Sequence, residues 1–304
     1  MPMSVSPAAS PPPRFACAAV ARVVICALAL ILLVSACGLG GRMSPGEFQD
    51  RAREVVERWH GSKDDLAWRT GFVPLEGPDI PPPLQRIPDW APLSVHNGAW
   101  ALDVTLSGKA PRGAQLSWPD GSTLTVPLVA AATTYAELSR PADFIDEECP
   151  PGGCTTLHVT GAELGDAPLR TGRGTIRVPV WYFTVKGVRE RFGWMAVDPS
   201  AIASRPVQRD GEYEEVMAYG LDPVRPRDLL LQYGHGRCEE IHGARAYETD
   251  DLVVVDVDLE DSGGPCTLEL IEARTTVTLA RPLGDRLLLD SGTGLPVLNE
   301  TLRR

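Results

Sequence analysis

From Trp100 the chain runs with a period of two: Trp100, Leu102, Val104 and Leu106 alternate with Ala101, Asp103, Thr105 and Ser107. Successive side chains of a strand point to opposite faces, so this alternation describes a strand with one face on a core. The Asn97-Gly98 pair before it has the composition of a hairpin turn. Strand patterns recur at 114–118 and 123–129, separated by Pro119-Asp120-Gly121-Ser122, and again at 155–163, 174–185 and 191–197. Residues 93–203 therefore read as a first β domain with one short helix near 134–139. Pro206, Pro223 and Pro226 fall among charges and mark 204–227 as a linker. Strand patterns at 228–233, 245–249, 252–259, 267–279 and 286–289 then define a second β domain, 228–304. The expected fold class is mainly β, with antiparallel sheets in two β-rich domains preceded by one amphipathic helix.

That helix is announced by Ser44-Pro45-Gly46-Glu47: serine at N-cap, proline at N1 and glutamate at N3. Phe48, Ala52, Val55, Val56 and Trp59 share one face, and Gly61 lies just past the end. Glu47, Asp50, Glu54 and Glu57 make the opposite face acidic, which favours packing on the protein over lying on a membrane. Residues 60–92, with Pro81-Pro82-Pro83, read as a stiff spacer or an extended wrap. Residues 37–92 thus form an anchor, helix and spacer that would lift the body off a bilayer.

Upstream, residues 23–34 are apolar apart from Cys26, follow Arg14 and Arg22, and end in Val34-Ser35-Ala36-Cys37. Twelve residues span about 18 Å as a helix, short of the roughly 30 Å hydrocarbon core. A basic start, a short apolar run and small residues are the parts of a cleavable signal, residues 1–36. The segment resembles the bacterial lipoprotein signal family, whose lipobox ends in an obligatory cysteine. The resemblance implies lipidation of Cys37.

The 268 residues from Cys37 onward no longer include Arg14 and Arg22 of the 29 basic residues, and against 40 acidic residues their net charge is −13. Such a chain is repelled by nucleic acid and anionic head groups, so membrane attachment falls to the lipid. With Cys17 and Cys26 in the signal, Cys149, Cys154, Cys238 and Cys266 remain, enough for two disulfides outside the cytoplasm. Three connectivities are possible. The Pro-Pro-Gly-Gly turn between Cys149 and Cys154 favours that pair, which leaves Cys238 for Cys266.

Asp261-Ser262-Gly263-Gly264-Pro265 matches the nucleophile loop of trypsin-like serine proteases, but Glu260 stands where that family has glycine. A carboxylate there opposes a developing oxyanion, and neither His96 nor His158 sits in a matching context. A polar turn between strands is the simpler reading. Leu287-Leu288-Leu289-Asp290-Ser291-Gly292-Thr293 looks like an aspartic protease motif, yet only eleven residues follow it. It too reads as a turn. His235, Cys238 and His242 have a zinc-like spacing that a disulfide at Cys238 would spoil, so no metal is expected. Asp256, Asp258 and Glu260 alternate with Val255, Val257 and Leu259 and read as a solvated sheet face.

The segments 154–161 with 174–185, and 238–286, resemble uncharacterised lipoproteins of high-GC Gram-positive bacteria. The resemblance implies the outer face of a cytoplasmic membrane and no activity. The sequence thus points to a lipid-anchored extracytoplasmic binding or interaction module without cofactor. An envelope protein or glycan is the expected partner, meeting loops or faces that carry Trp100, Trp118, Trp181, Trp194 or Tyr233. The alternative is a secreted hydrolase with Ser262 as nucleophile.

Overall fold

The computed structural model describes residues 42–144, 147–262, 267 and 269–300. Cys37, Cys266 and the residues of the signal lie outside them. The chain is mainly β: thirteen strands lie among the described residues, with two parallel pairings in otherwise antiparallel sheets.

The helix α1, Pro45–Trp59, forms where the capping signal places it. Ser44 Oγ accepts from the Glu47 amide at 3.3 Å, and the Glu47 carboxylate accepts from the Ser44 amide at 2.8 Å. These bonds satisfy two groups at the helix N-terminus. Phe48, Ala52, Val55 and Trp59 are buried. The spacer region departs from an extended chain, because Ser62 caps a second helix, α2, Lys63–Thr70. A third, α3, covers Ala91–His96 with Pro92 in its first turn. The Asn97-Gly98 pair ends α3 instead of turning a hairpin. Gly98 has φ +65° and supplies the left-handed residue at which helices commonly stop.

The first sheet is ordered β1-β7-β6-β5-β2. Its strands are β1 (Asp79–Ile80), β2 (Trp100–Leu102), β5 (Leu157–Thr171), β6 (Gly174–Val185) and β7 (Phe192–Met195). The alternation of β6 divides two cores. Ile176, Val178 and Val180 face the hairpin of β3 (Ala114–Ser117) and β4 (Thr123–Val126). Phe183 and Val185 face Ala91 of α3 and Leu138 of a fourth helix, α4, Ala131–Leu138. The 72–80 segment is bound along this half: Pro74 bridges to Thr171, and β1 pairs with β7.

The second half stacks two three-stranded sheets. One is ordered β12-β9-β8, from β8 (Ala218–Leu221), β9 (Asp228–Gly236) and β12 (Leu270–Thr278). The other is β10-β11-β13, from β10 (Glu239–Glu248), β11 (Leu252–Asp261) and β13 (Leu287–Asp290). Strand β8 lies inside 204–227, so that stretch is part of the sheet and not a free linker. Leu229, Leu231 and Tyr233 meet Val253, Val255 and Val257 between the sheets. On the outer face of β11, Leu252 and Val254 pack with Phe48, Val55 and Trp59 of α1. The helix is therefore a third layer on the second sheet, and it does not stand off the body as a spacer.

Candidate functional site

The covered face of β11 overturns one expectation. Leu252, Val254, Asp256 and Asp258 share that face, and α1 runs over it. Asp256 is 1 % exposed and Asp258 5 %, so they do not form a solvated face. Buried carboxylates need partners, and both have arginines. Arg245, opposite Asp256 in the register of β10 and β11, grips it with Nε to Oδ1 at 3.0 Å and Nη2 to Oδ2 at 2.5 Å. It also donates to the Met43 carbonyl at 2.8 Å and lies over the Phe48 ring. Arg42 Nε reaches Asp258 at 3.0 Å, and this pairing lowers the Asp258 pKa. Burial outweighs the arginine at Asp256 and raises its pKa.

A second pair of acids lies beside the first. Asp290, at the end of β13, accepts from the amides of Glu215 (3.0 Å), Val216 (2.8 Å) and Thr293 (2.8 Å), and from Thr293 Oγ1 (2.8 Å). Burial nevertheless holds Asp290 above the ordinary carboxylate range. The Glu215 carboxylate accepts from Arg51 of α1 at 2.7 Å and from Ser291 Oγ at 2.9 Å. Burial first, and the neighbouring charge of Asp290 second, push its pKa up to about 7. Asp256, Asp258 and Glu215 are thus paired with Arg245, Arg42 and Arg51, while Asp290 is held by backbone amides and the Thr293 hydroxyl. Glu215, Asp256, Arg42, Arg51 and Arg245 line a recess of about 560 Å³, and Tyr213 also lines it. Glu239 and Asp261 add acidic groups to the lining.

A carboxyl that titrates near neutrality inside a cleft marks a candidate functional position. It also makes stability depend on pH. The folded protein favours the protonated form of Glu215, so this stabilisation is complete below about pH 4.5 and is lost as pH rises through about 7. The amount is on the order of 3 kcal/mol. Asp290, Asp256, Arg51, Arg245 and Ser291 all face Glu215, and Glu215→Gln keeps the shape without the titration. Urea unfolding between pH 5 and pH 8.5 should show wild type losing stability relative to Glu215→Gln as pH rises. Parallel profiles for the two proteins would remove Glu215 as the cause.

Other sequence candidates do not join this recess. Ser262 donates both its hydroxyl and its amide to the Cys238 carbonyl oxygen. His242 is engaged with Glu260 at 2.9 Å, and His235 Nδ1 lies 2.9 Å from the Gly236 carbonyl. Neither interaction directs a base at Ser262. The Asp290 turn is a clasp: Gly292 passes so close to the Tyr213 carbonyl that a Cβ would strike it. Cys149 and Cys154 form a disulfide. Cys238 is also disulfide-bonded, so it offers zinc no thiolate, and its expected partner Cys266 lies outside the described residues. Tyr233 and Trp118 are core residues, and Trp118 Nε1 donates to Thr171 Oγ1 at 3.1 Å. Trp100, Trp181 and Trp194 are half-buried.

The sequence reading missed Glu215 and Arg51 because their partners lie 164 residues apart. It had the alternation of β11 and the apolar stripe of α1 but did not place one upon the other. Comparisons with protein-family models, curated proteins and solved structures find no match.

Proposed function

We propose that the chain is a lipid-anchored extracytoplasmic protein that works as a binding or interaction module at the cell surface, attached through Cys37. The observation that supports this reading is the clamping of residues next to the proposed anchor. Arg42 is bonded to Asp258, and Met43 accepts from Arg245. Only Gly38, Leu39, Gly40 and Gly41 separate Cys37 from Arg42. Five residue steps of extended chain reach about 17 Å, so a lipid on Cys37 would hold the recess under α1 near the head groups. An envelope protein or glycan would meet the body on its remaining surfaces. No helix among the described residues is long and apolar enough to cross a membrane. Two or more acyl chains suffice for stable anchoring.

Fractionation of cells that express the full chain tests the anchor. Wild type should sediment with membranes and incorporate an alkyne-tagged fatty acid. Cys37→Ala should appear in the soluble fraction with an unchanged unfolding midpoint. A Cys37→Ala protein that stays in the membrane fraction would refute the anchor. For the binding role, cross-linking on intact cells should join the body to a defined envelope protein or glycan, and recovery of uncoupled protein alone counts against it.

A further inference from the structure

The first half of the fold contains a cleft whose chemistry differs from that of the recess under α1. It lies between α4 and the chain segment that carries Pro74 and Pro78, and it holds about 430 Å³. That volume falls within the ~300–1,000 Å³ range of small-molecule sites. Its apolar lining includes Val129, Trp194, Met195, Val197 and Ile202, of which Met195 and Val197 are core residues and Ile202 packs against them. Pro74, Pro78 and Pro199 add to the apolar lining. Apolar carbon therefore continues from the core to the surface, where a ligand that covered it would remove it from water.

The polar groups of the cleft are few and of one sign. Thr133 and Thr134 come from α4, and Thr134 Oγ1 is already bonded to the Ala130 carbonyl at 3.1 Å. Among the described residues, Glu76 and Glu137 are the charged groups in the lining. Arg170 and Arg140, which pair with these carboxylates at 2.6 Å and 2.8 Å, are not part of the cleft wall. The recess under α1, by contrast, contains three arginines. Trp194, half-buried, lines the cleft together with both carboxylates, and an aromatic ring and carboxylates in one lining are groups that attract an organic cation.

We propose that the cleft between α4 and the Pro74–Pro78 segment binds a small apolar molecule that carries a positively charged group. The apolar part fills the space against Met195, Val197 and Ile202. The cation is held by Glu137, Glu76 and the Trp194 ring. The assignment goes beyond membrane anchoring and is independent of it, because the cleft is complete whether or not Cys37 carries lipid.

Three probes of nearly equal size separate the contributions: 1-naphthylmethylammonium, 1-methylnaphthalene and naphthalene-1-sulfonate, each titrated into the full chain with calorimetry and tryptophan fluorescence. The ammonium should bind one to one and at least about tenfold more tightly than the sulfonate, with the neutral probe between them. Thr133 is exposed on α4, so Thr133→Trp can fill the cleft without entering the core, and it should abolish saturable binding. The pair Glu76→Gln/Glu137→Gln leaves the apolar walls intact and should abolish the preference for the ammonium. Absence of saturable binding by every probe overturns the proposal. Binding that survives Thr133→Trp in a folded protein, or no preference for the ammonium over the sulfonate in wild type, overturns it equally.

Discussion

Replacing Arg245 with alanine is expected to cost about 3–5 kcal/mol of unfolding free energy, because it strands a carboxylate under a helix. Asp256 is 1 % exposed and loses both of its arginine bonds. The Met43 carbonyl loses a donor, and the Phe48 ring loses the guanidinium above it. These losses fall on the start of α1, so the helix should loosen from β11 before the sheets separate. Urea unfolding followed by circular dichroism, with amide hydrogen exchange over 44–59, measures both effects. A double replacement gives the sharper test. A buried ion pair is often matched by apolar residues of similar volume, so Arg245→Met with Asp256→Leu should recover most of the loss. If the single variant unfolds like wild type, the pair does not hold the helix.

The same residues show how far sequence reasoning extends in this fold. The helix α1 was legible from its capping box, its proline and its apolar stripe, and the structure contains both capping bonds and buries four of the five stripe residues, Val56 being half-buried. The hairpin of β3 and β4 was legible from its alternation, whereas the alternation at 100–107 is a strand only over Trp100–Leu102, with Leu102 and Val104 exposed, and the 164–171 part of β5 and strand β8 lie outside the strand patterns of the sequence. In β11 the alternation identified which residues share a face, but a period of two does not reveal whether the second face is covered. That depends on where a helix two hundred residues earlier in the chain comes to lie. The helices α2 and α3 were hidden because they are short and flanked by prolines and glycines, although Ser62, Asp64, Asp65 and Arg69 are local signs of α2. Strand β13 was visible as an apolar run, but its parallel pairing with β11 was not, because register across a crossover leaves no local pattern. Glu215 had no sequence signal of its own. Its meaning arises from Arg51, Ser291 and Asp290, which the fold gathers from two other parts of the chain.

Asp290→Ala should be as damaging as the loss of Arg245, for a different reason. The Asp290 carboxylate accepts both backbone amides that tie the 213–216 segment to the turn after β13, beside the Ser291 hydroxyl bond to the Glu215 carboxylate. Without it, the amides of Glu215, Val216 and Thr293 and the Thr293 hydroxyl lose their partner in a buried site. An unsatisfied buried donor costs about 1–3 kcal/mol, so three amides together make about 4 kcal/mol a reasonable expectation after partial relaxation. Asp290→Asn retains one carbonyl oxygen and should lose roughly half as much. A second readout separates this clasp from a general loss of packing. The charge of Asp290 is one of the causes that raise the Glu215 pKa, so both variants should bring the Glu215 titration closer to its ordinary range. Carboxyl chemical shifts of Glu215 in the more stable Asp290→Asn protein report that change directly. Wild-type stability in Asp290→Ala, or an unmoved Glu215 titration in Asp290→Asn, would show that the two acids are not coupled through this turn.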